Sequence, residues 1–368
     1  MKILFDLTYV KANNISGVTN YAYRLLDGFN KCNFNSHVIL LATPENAHII
    51  TKNITGYPLV RMEIKSFKYQ HFNGFINKRA LNNIIKKYNI DLFVSPYIVF
   101  HGLYTKKIPS VGVFHDAQGF QLMGNIIKQF AYNLFTKHIL QQFTTIVTIS
   151  NYAKNDIIEK VPNISNKLQV IYNSILPVTY SVPCEREKTI KYILNVNTLE
   201  PYKNLITLIK AFNLLKHKIP HSLYIKAKRL PYWDNVILPF INEHNIGDRV
   251  KLIEKKYTEE EMASLYQNAD LFVSPSLMEG FGFTPIEAAL YGIPVICSKE
   301  SALYETTRGL LNYYAPATDE NQLATAILQQ INQAKDQTKL LAISNEYKDC
   351  YSTQKQAEQF ITIFNSLK

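Results

Sequence analysis

The sequence predicts an α/β protein of two Rossmann-like domains, and three observations predict it. Its 368 residues exceed one typical domain of ~100–200 residues. Hydrophobic residues make up 47% and charged residues 19%, which supplies a core in both halves and excludes wholesale disorder. Short apolar runs alternate with helical patterns twice over, with a break between the two series. Such alternation argues for parallel sheets covered on both faces.

The first series has strand runs at 2–7 (KILFDL), 37–42, 91–95, 110–114 and 145–149. The opening stretch MKILFDLTYV is too short for a signal peptide and carries Asp6, so it reads as the first strand. Helical patterns fall at 18–30, 77–88, 125–141 and 151–159. The pattern breaks over 161–190, which holds Pro162, Pro177 and Pro183, and the domain boundary is expected at about 175. The second series has strands at 191–196, 222–226, 250–253, 271–274 and 293–297. Its helices are expected at 203–217, 234–244, 258–268, 285–291, 300–306 and 320–334. In the last segment Ala357, Phe360, Ile361 and Phe364 recur at helical spacing, giving an amphipathic helix that must dock on a domain. The expected divisions are therefore 1–174, 175–352 and a terminal helix over 353–368.

Charge and cysteine content narrow the partners. The formal net charge is +11, and residues 1–170 carry all of it, with 19 Lys and Arg against 8 Asp and Glu. The first half is therefore expected to meet something anionic: nucleic acid, a membrane surface or a phosphate-bearing substrate. Lysines 65, 68, 78, 86 and 87 and Arg79 mix there with Phe67, Tyr69, Phe72 and Phe75. Such a surface suits anionic headgroups or a lipid-diphosphate acceptor, and it matches no nucleic-acid module. It also fits a solvated helix face over core aromatics. No apolar stretch approaches the ~18–20 residues of a spanning helix. Four scattered cysteines form neither a disulfide framework nor a zinc site and point to a reducing compartment.

Residues 274–298 carry the strongest chemical signal. A strand ends in a turn, Ser276 to Phe283, with glycines at 280 and 282 that let the backbone approach a ligand. Thr284 as N-cap and Pro285 at the first helical position are expected to open a helix, whose amino end favours anions. Glu279 in the loop and Glu287 in the first turn offer acceptors to hydroxyls, as on a sugar and a ribose. The same spacing, Thr284-x-x-Glu287, also matches a capping box in which Glu287 only bonds the N-cap amide. Asp-x-Asp, Gly-x-Gly-x-x-Gly and Gly-x-Ser-x-Gly are absent. That argues against a metal–diphosphate pair, a dinucleotide fingerprint and an α/β-hydrolase.

The stretch from Glu279 to Ala288 closely resembles the Glu-x7-Glu motif of retaining glycosyltransferases of family 4, which have the GT-B fold. Asn195 to Asn204 resembles the family's strand and loop with a phosphate-binding lysine. Ser150-Asn151-Tyr152, Val170-Ile171-Tyr172-Asn173, His115-Asp116 and Ser16 to Tyr21 fall in the family's order too. The resemblance thus spans nearly the whole chain. It implies two Rossmann-like domains facing a central cleft, an acceptor domain followed by a donor domain, and a C-terminal helix crossing back to the first.

By the same resemblance, Glu279 contacts the donor sugar, and the backbone around Gly280, Phe281, Gly282 and Phe283 faces the sugar or diphosphate. Glu287 holds the ribose, Lys203 and Lys228 neutralise the diphosphate, and His115 faces the donor sugar. Thr198 and Gly17 complete the donor-binding set. Gly17 reads equally as a plain turn glycine, and His115 also fits a satisfied histidine near a turn. Lys226, Lys228 and Arg229 crowd one turn where the family often has Gly-Lys and this chain has Ala227-Lys228. Thr198 stands where some members have arginine, and Tyr202 where many have a basic residue.

The function this implies is metal-independent, retaining transfer of a hexose from a nucleotide-diphosphate sugar to a glycan or lipid-linked glycan. The loop Thr198-Leu199-Glu200-Pro201 with Lys203-Asn204 resembles bacterial mannosyltransferases of surface-polysaccharide synthesis. GDP-mannose is therefore the favoured donor, with UDP-hexoses as rivals. No cofactor, metal or nucleic acid is expected. The expected location is the cytoplasm, with peripheral contact on the inner face of the membrane. A GT-B phosphorylase or epimerase, or a non-catalytic GT-B partner subunit, are the alternatives.

Overall fold

The computed structural model describes residues 1–11, 17–65, 73–99, 102–117, 120, 126–176 and 190–368. It divides into two compact units, Met1–Leu176 with Tyr351–Lys368, and Pro177–Cys350.

The first unit is built on a seven-stranded parallel sheet. Its strands are β1 (Ile3–Asp6), β2 (Val38–Ala42), β3 (Leu59–Arg61), β4 (Leu92–Ser95), β5 (Ser110–Val113), β6 (Thr145–Thr148) and β7 (Leu168–Val170). Their order is β3-β2-β1-β4-β5-β6-β7. Alternating side chains explain the two-sided core. Ile3 and Phe5 point into a cluster with Leu25, Phe29 and Phe360, whereas Leu4 joins Phe93, Phe143 and Ile146 in another. The helices are α1 (Gly17–Lys31), α2 (Ala47–Asn53), α3 (Asn73–Tyr88), α4 (Ile126–Leu140) and α5 (Asn151–Lys160).

Far along the chain, α13 (Thr353–Ser366) returns to pack on α1, as expected for the C-terminal helix. Gly28 permits the approach, since a Cβ there would lie 2.1 Å from the Thr353 carbonyl oxygen. Phe29 and Phe364 complete the contact at 5.8 Å between ring centres.

A six-stranded parallel sheet forms the second unit. It comprises β8 (Tyr192–Val196), β9 (Ser222–Lys226), β10 (Val250–Ile253), β11 (Leu271–Ser274), β12 (Val295–Ser298) and β13 (Asn312–Tyr314), in the order β10-β9-β8-β11-β12-β13. Its helices are α6 (Leu205–Leu215), α7 (Leu238–Glu243), α8 (Glu259–Gln267), α9 (Phe283–Leu290), α10 (Leu303–Thr306), α11 (Glu320–Asn332) and α12 (Gln337–Cys350).

In each sheet the strand order reverses beside the first strand of the unit. That is the switch point where open α/β sheets bind ligands, beyond the carboxyl ends of the strands. The switch falls between β1 and β4 in the first unit and between β8 and β11 in the second.

Three strands (β3, β7 and β13) and two helices (α2 and α12) lie outside the expected set. The strands have three residues each and are the outer strands of their sheets, too short to show an alternation. In α12 only Ile343, Ser344 and Tyr347 are buried, a narrow stripe in a polar sequence. No described helix is long and apolar enough to cross a membrane.

Candidate active site

The candidate site of the second unit lies on the two loops that flank its switch point. The first follows β8. Asn195 donates its side-chain amide to the Val273 carbonyl at 2.8 Å, tying β8 to β11, and Asn197 donates to Asn195 Oδ1 at 2.7 Å. Leu199 is fully buried and pins the loop to the core, while Thr198 is exposed. Pro201–Lys203 then form one 3₁₀ turn, so Lys203 precedes the α-helix rather than beginning it.

The break comes from Asn204, whose φ of 55° is left-handed, a conformation asparagine tolerates better than most residues. Its side chain is buried and fully used. Nδ2 donates to the Pro275 and Ala317 carbonyls at 3.0 and 2.8 Å, and Oδ1 accepts from Thr207 Oγ1 at 2.7 Å.

The second loop follows β11. The Leu277 amide donates to the Tyr202 carbonyl at 2.8 Å, joining it to the first loop. The Glu279 amide donates to Ser301 Oγ at 2.9 Å, and the Glu279 carbonyl accepts from the Ala302 amide at 3.3 Å. With its backbone so fixed, Glu279 Oε1 accepts from Lys203 Nζ at 2.7 Å. The two side chains are only 13% and 15% exposed. Two residues 76 apart in sequence thus meet as an ion pair at the switch point.

The helix start differs from the expected one. The N-cap of α9 is Gly282 and its first residue is Phe283, so Thr284 is already helical and the proposed capping box does not form. Backbone geometry decides this. Gly282 has φ +83°, and a Cβ there would lie 2.5 Å from Leu303 Cδ2. Only glycine fits, and the helix begins directly after it. Phe281 is buried and packs on Phe283 at 5.0 Å, while its carbonyl accepts from Thr306 Oγ1.

Glu287, one turn into α9, accepts from the Tyr266 hydroxyl at 3.4 Å. Tyr266 is buried and stacks on Tyr291 at 5.1 Å. Burial, followed by the Glu287 charge, pushes its hydroxyl well above the ordinary tyrosine range, so it remains a donor. Nothing in the sequence pattern signalled Tyr266.

The crowded turn after β9 sorts itself by partners. Lys226 donates to the Lys255 carbonyl at 2.7 Å, and Arg229 pairs with Asp234. Lys228 is exposed and makes no ion pair or hydrogen bond among the described residues, so it does not join Lys203 and Glu279.

In the first unit, His115 follows β5 and Nε2 lies 3.2 Å from the Pro96 carbonyl. Tyr21 meets the His115 ring edge-on at 4.6 Å and Tyr97 at 5.9 Å. Burial lowers its pKa to about 4, keeping the ring neutral. Asp6 ends β1, accepts from the Thr8 amide and hydroxyl at 2.9 and 2.7 Å, and is pushed up to about 6 by burial. Gly17 opens α1, exposed, with nothing within 4 Å of a Cβ built on it, so no neighbour in the chain demands glycine there. Ser16, Phe67, Lys68, Tyr69 and Phe72 lie outside the described residues.

A cavity of about 250 Å³ lies elsewhere, at the amino ends of β12 and β13 among Pro294, Leu311, Asn312 and Lys339. It is on the edge of the sheet opposite the Lys203 and Glu279 loops. Among the described residues no group of three or more His, Cys, Asp or Glu could hold a metal ion.

Residues 183–346 match the family model Glycosyl transferases group 1, and residues 15–176 match Glycosyltransferase Family 4. The chain belongs to the GT-B glycosyltransferases. It is related to bacterial family-4 mannosyltransferases of surface-polysaccharide synthesis. It is 30% identical over 215 residues to the O-antigen chain mannosyltransferase RfbU of Salmonella typhimurium, covering 58% of each chain. To the O-antigen chain mannosyltransferase B of Escherichia coli it is 30% identical over 142 residues, covering 38% of this chain and 36% of that one. The matched part is thus well under two thirds of either relative's length. Among solved structures, Anabaena HepE in complex with UDP superposes with a TM-score of 0.72 at 15% identity over 100% of both chains. That likeness speaks for the fold of this glycosyltransferase.

Proposed function

We propose that this glycosyltransferase moves a hexose from a nucleotide-diphosphate sugar to a glycan or lipid-linked glycan, without metal and with retention at the anomeric carbon. The carrying observation is the meeting of Lys203 and Glu279 at the switch point, one short loop ahead of Glu287. An ammonium there suits a diphosphate, and the two carboxylates suit the sugar and ribose hydroxyls. Lys228, exposed at the next strand end, supplies a second positive charge. The amino end of α9, which begins directly after Gly282, favours the phosphates through the helix dipole.

Mannose is the favoured sugar because the two O-antigen relatives named above are mannosyltransferases; a UDP-hexose is the rival. The bond from the anomeric carbon to the leaving phosphate breaks as the acceptor oxygen bonds on the same face. The departing phosphate oxygen takes the acceptor's proton. Catalysis then rests on positioning and on charge neutralisation at the diphosphate.

The acceptor side is assigned to the basic first unit. Phe75 on α3 and Phe130 and Leu134 on α4 are 68%, 69% and 55% exposed, and the same two helices carry Lys78, Arg79, Lys86, Lys87 and Lys137. This supports peripheral contact with an anionic leaflet on the cytoplasmic side. The test is transfer from GDP-mannose, UDP-glucose and UDP-galactose to lipid-linked glycans in EDTA, with product linkage read by NMR. A product of inverted configuration, or a strict need for manganese, overturns the proposal.

A further inference from the structure

We infer that Glu279 is an internal counter-ion that competes with the diphosphate for Lys203, so that the site prefers a nucleotide sugar to the bare nucleoside diphosphate left after transfer. The inference rests on the donor-site reading above.

The scaffold presents this pair to every ligand that enters. Two hydrogen bonds join the two loops, Leu277 to Tyr202 and Asn204 to Pro275, and two more fix the Glu279 backbone to the segment after β12, Glu279 to Ser301 and Ala302 to Glu279. Neither backbone can withdraw without breaking some of them. Lys203 also lies 5.3 Å over the Tyr202 ring, which limits where its ammonium can go.

A diphosphate reaching Lys203 therefore meets a carboxylate already bonded to it at 2.7 Å. A bare nucleoside diphosphate takes the ammonium and offers Glu279 nothing. It leaves a largely shielded carboxylate without its ammonium, which is costly. A nucleotide sugar takes the same ammonium and brings hydroxyl donors that replace it at Glu279. The lost ion pair is offset for the substrate and not for the product, so the product leaves more readily.

Calorimetric titration of GDP, GDP-mannose, UDP and UDP-glucose tests this on the full chain. The proteins are wild type, Glu279→Gln, Lys203→Gln and the double variant, each checked for an intact thermal transition. Glu279→Asp, which keeps the charge but shortens the reach, stands in if Glu279→Gln does not fold. For whichever base binds, Glu279→Gln should bind the bare diphosphate about fivefold more tightly, the size of one partly shielded ion pair. It should bind the nucleotide sugar no more tightly than wild type. In the Lys203→Gln background the gain should vanish, because the competition runs through the ammonium.

Unchanged or weaker diphosphate binding by Glu279→Gln overturns the inference. So does a gain that persists without Lys203, which would mean direct repulsion. If Lys203→Gln binds both diphosphates as wild type does, the donor-site reading itself falls. Loss of affinity in Lys203→Gln without any gain in Glu279→Gln removes only the inference.

Discussion

Replacing Asn204 with alanine should destabilise the second unit by about 3 kcal/mol and weaken nucleotide binding together. Alanine at φ 55° costs about 1–2 kcal/mol relative to a residue that tolerates the left-handed region. The side chain also makes three hydrogen bonds, two of them to carbonyls that would be left without this donor. At about 1 kcal/mol for each of the two, the total reaches about 3 kcal/mol. For a unit of this size that corresponds to a melting shift of roughly 6–12 °C.

Asn204→Asp separates the contributions. It keeps the size, the backbone tolerance and the acceptor for Thr207, but turns a carboxylate oxygen towards the Pro275 and Ala317 carbonyls. It should be at least as damaging as alanine. Differential scanning fluorimetry reads both variants. A shift within 1–2 °C of wild type, on the order of 0.5 kcal/mol, would refute the view that Asn204 welds the lysine loop to the glutamate loop.

Three further outcomes follow from the geometry. Gly282→Ala should lower stability by about 1–3 kcal/mol and nucleotide affinity with it, because the added Cβ meets Leu303 and the φ is left-handed; wild-type melting would contradict this. Asp6 is raised from 3.8 to about 6, so its contribution to stability is full below pH 3.8 and lost as pH rises through 6. Relative to wild type, Asp6→Asn should therefore gain about 3 kcal/mol between those limits. His115, lowered to about 4, acts in the opposite sense over an overlapping window, so the difference between the two proteins is the quantity to follow, and a flat difference refutes the assignment. Neutralising Lys78, Arg79, Lys86 and Lys87 together should weaken binding to anionic liposomes by on the order of 1 kcal/mol per residue that approaches the surface, leaving nucleotide affinity unchanged. Salt should mimic the variant, since the Debye length falls from ~10 Å at 0.1 M to ~3 Å at 1 M. Undiminished liposome binding would exclude this face.

Much of the architecture is legible in the chain because both sheets are buried on both faces. Their inner strands, such as Leu92–Ser95 and Leu271–Ser274, read as short uninterrupted apolar runs. Outer strands of three residues carry no such signal. The terminal helix was legible as amphipathic, and Gly28 against Thr353 fixes where it docks. Within the candidate site, Glu279, Lys203 and Glu287 are marked by the motifs that resemble the family's. The start of α9 was misread because a Thr-Pro pair is a strong local signal, whereas the helix is capped earlier by Gly282 in the left-handed region at φ +83°. Lys203 was likewise placed inside a helix because nothing local reveals the left-handed Asn204, whose partners Pro275 and Ala317 lie 71 and 113 residues away. Tyr266 behind Glu287 and Ser301 behind Glu279 escaped for the same reason.

The most direct test of the donor site is calorimetric titration of wild type and Glu287→Ala with GDP and UDP. The N-cap of α9 is Gly282, so the capping box of Thr284 and Glu287 does not form. Its removal should cost roughly 1–3 kcal/mol of nucleotide binding, about five- to 150-fold, and should lower the melting temperature only by the loss of the Tyr266 hydrogen bond, about 1 kcal/mol. Unaltered affinity for the nucleotide that wild type binds would contradict the assignment of Glu287 to the ribose and, with it, the donor site built around Lys203 and Glu279.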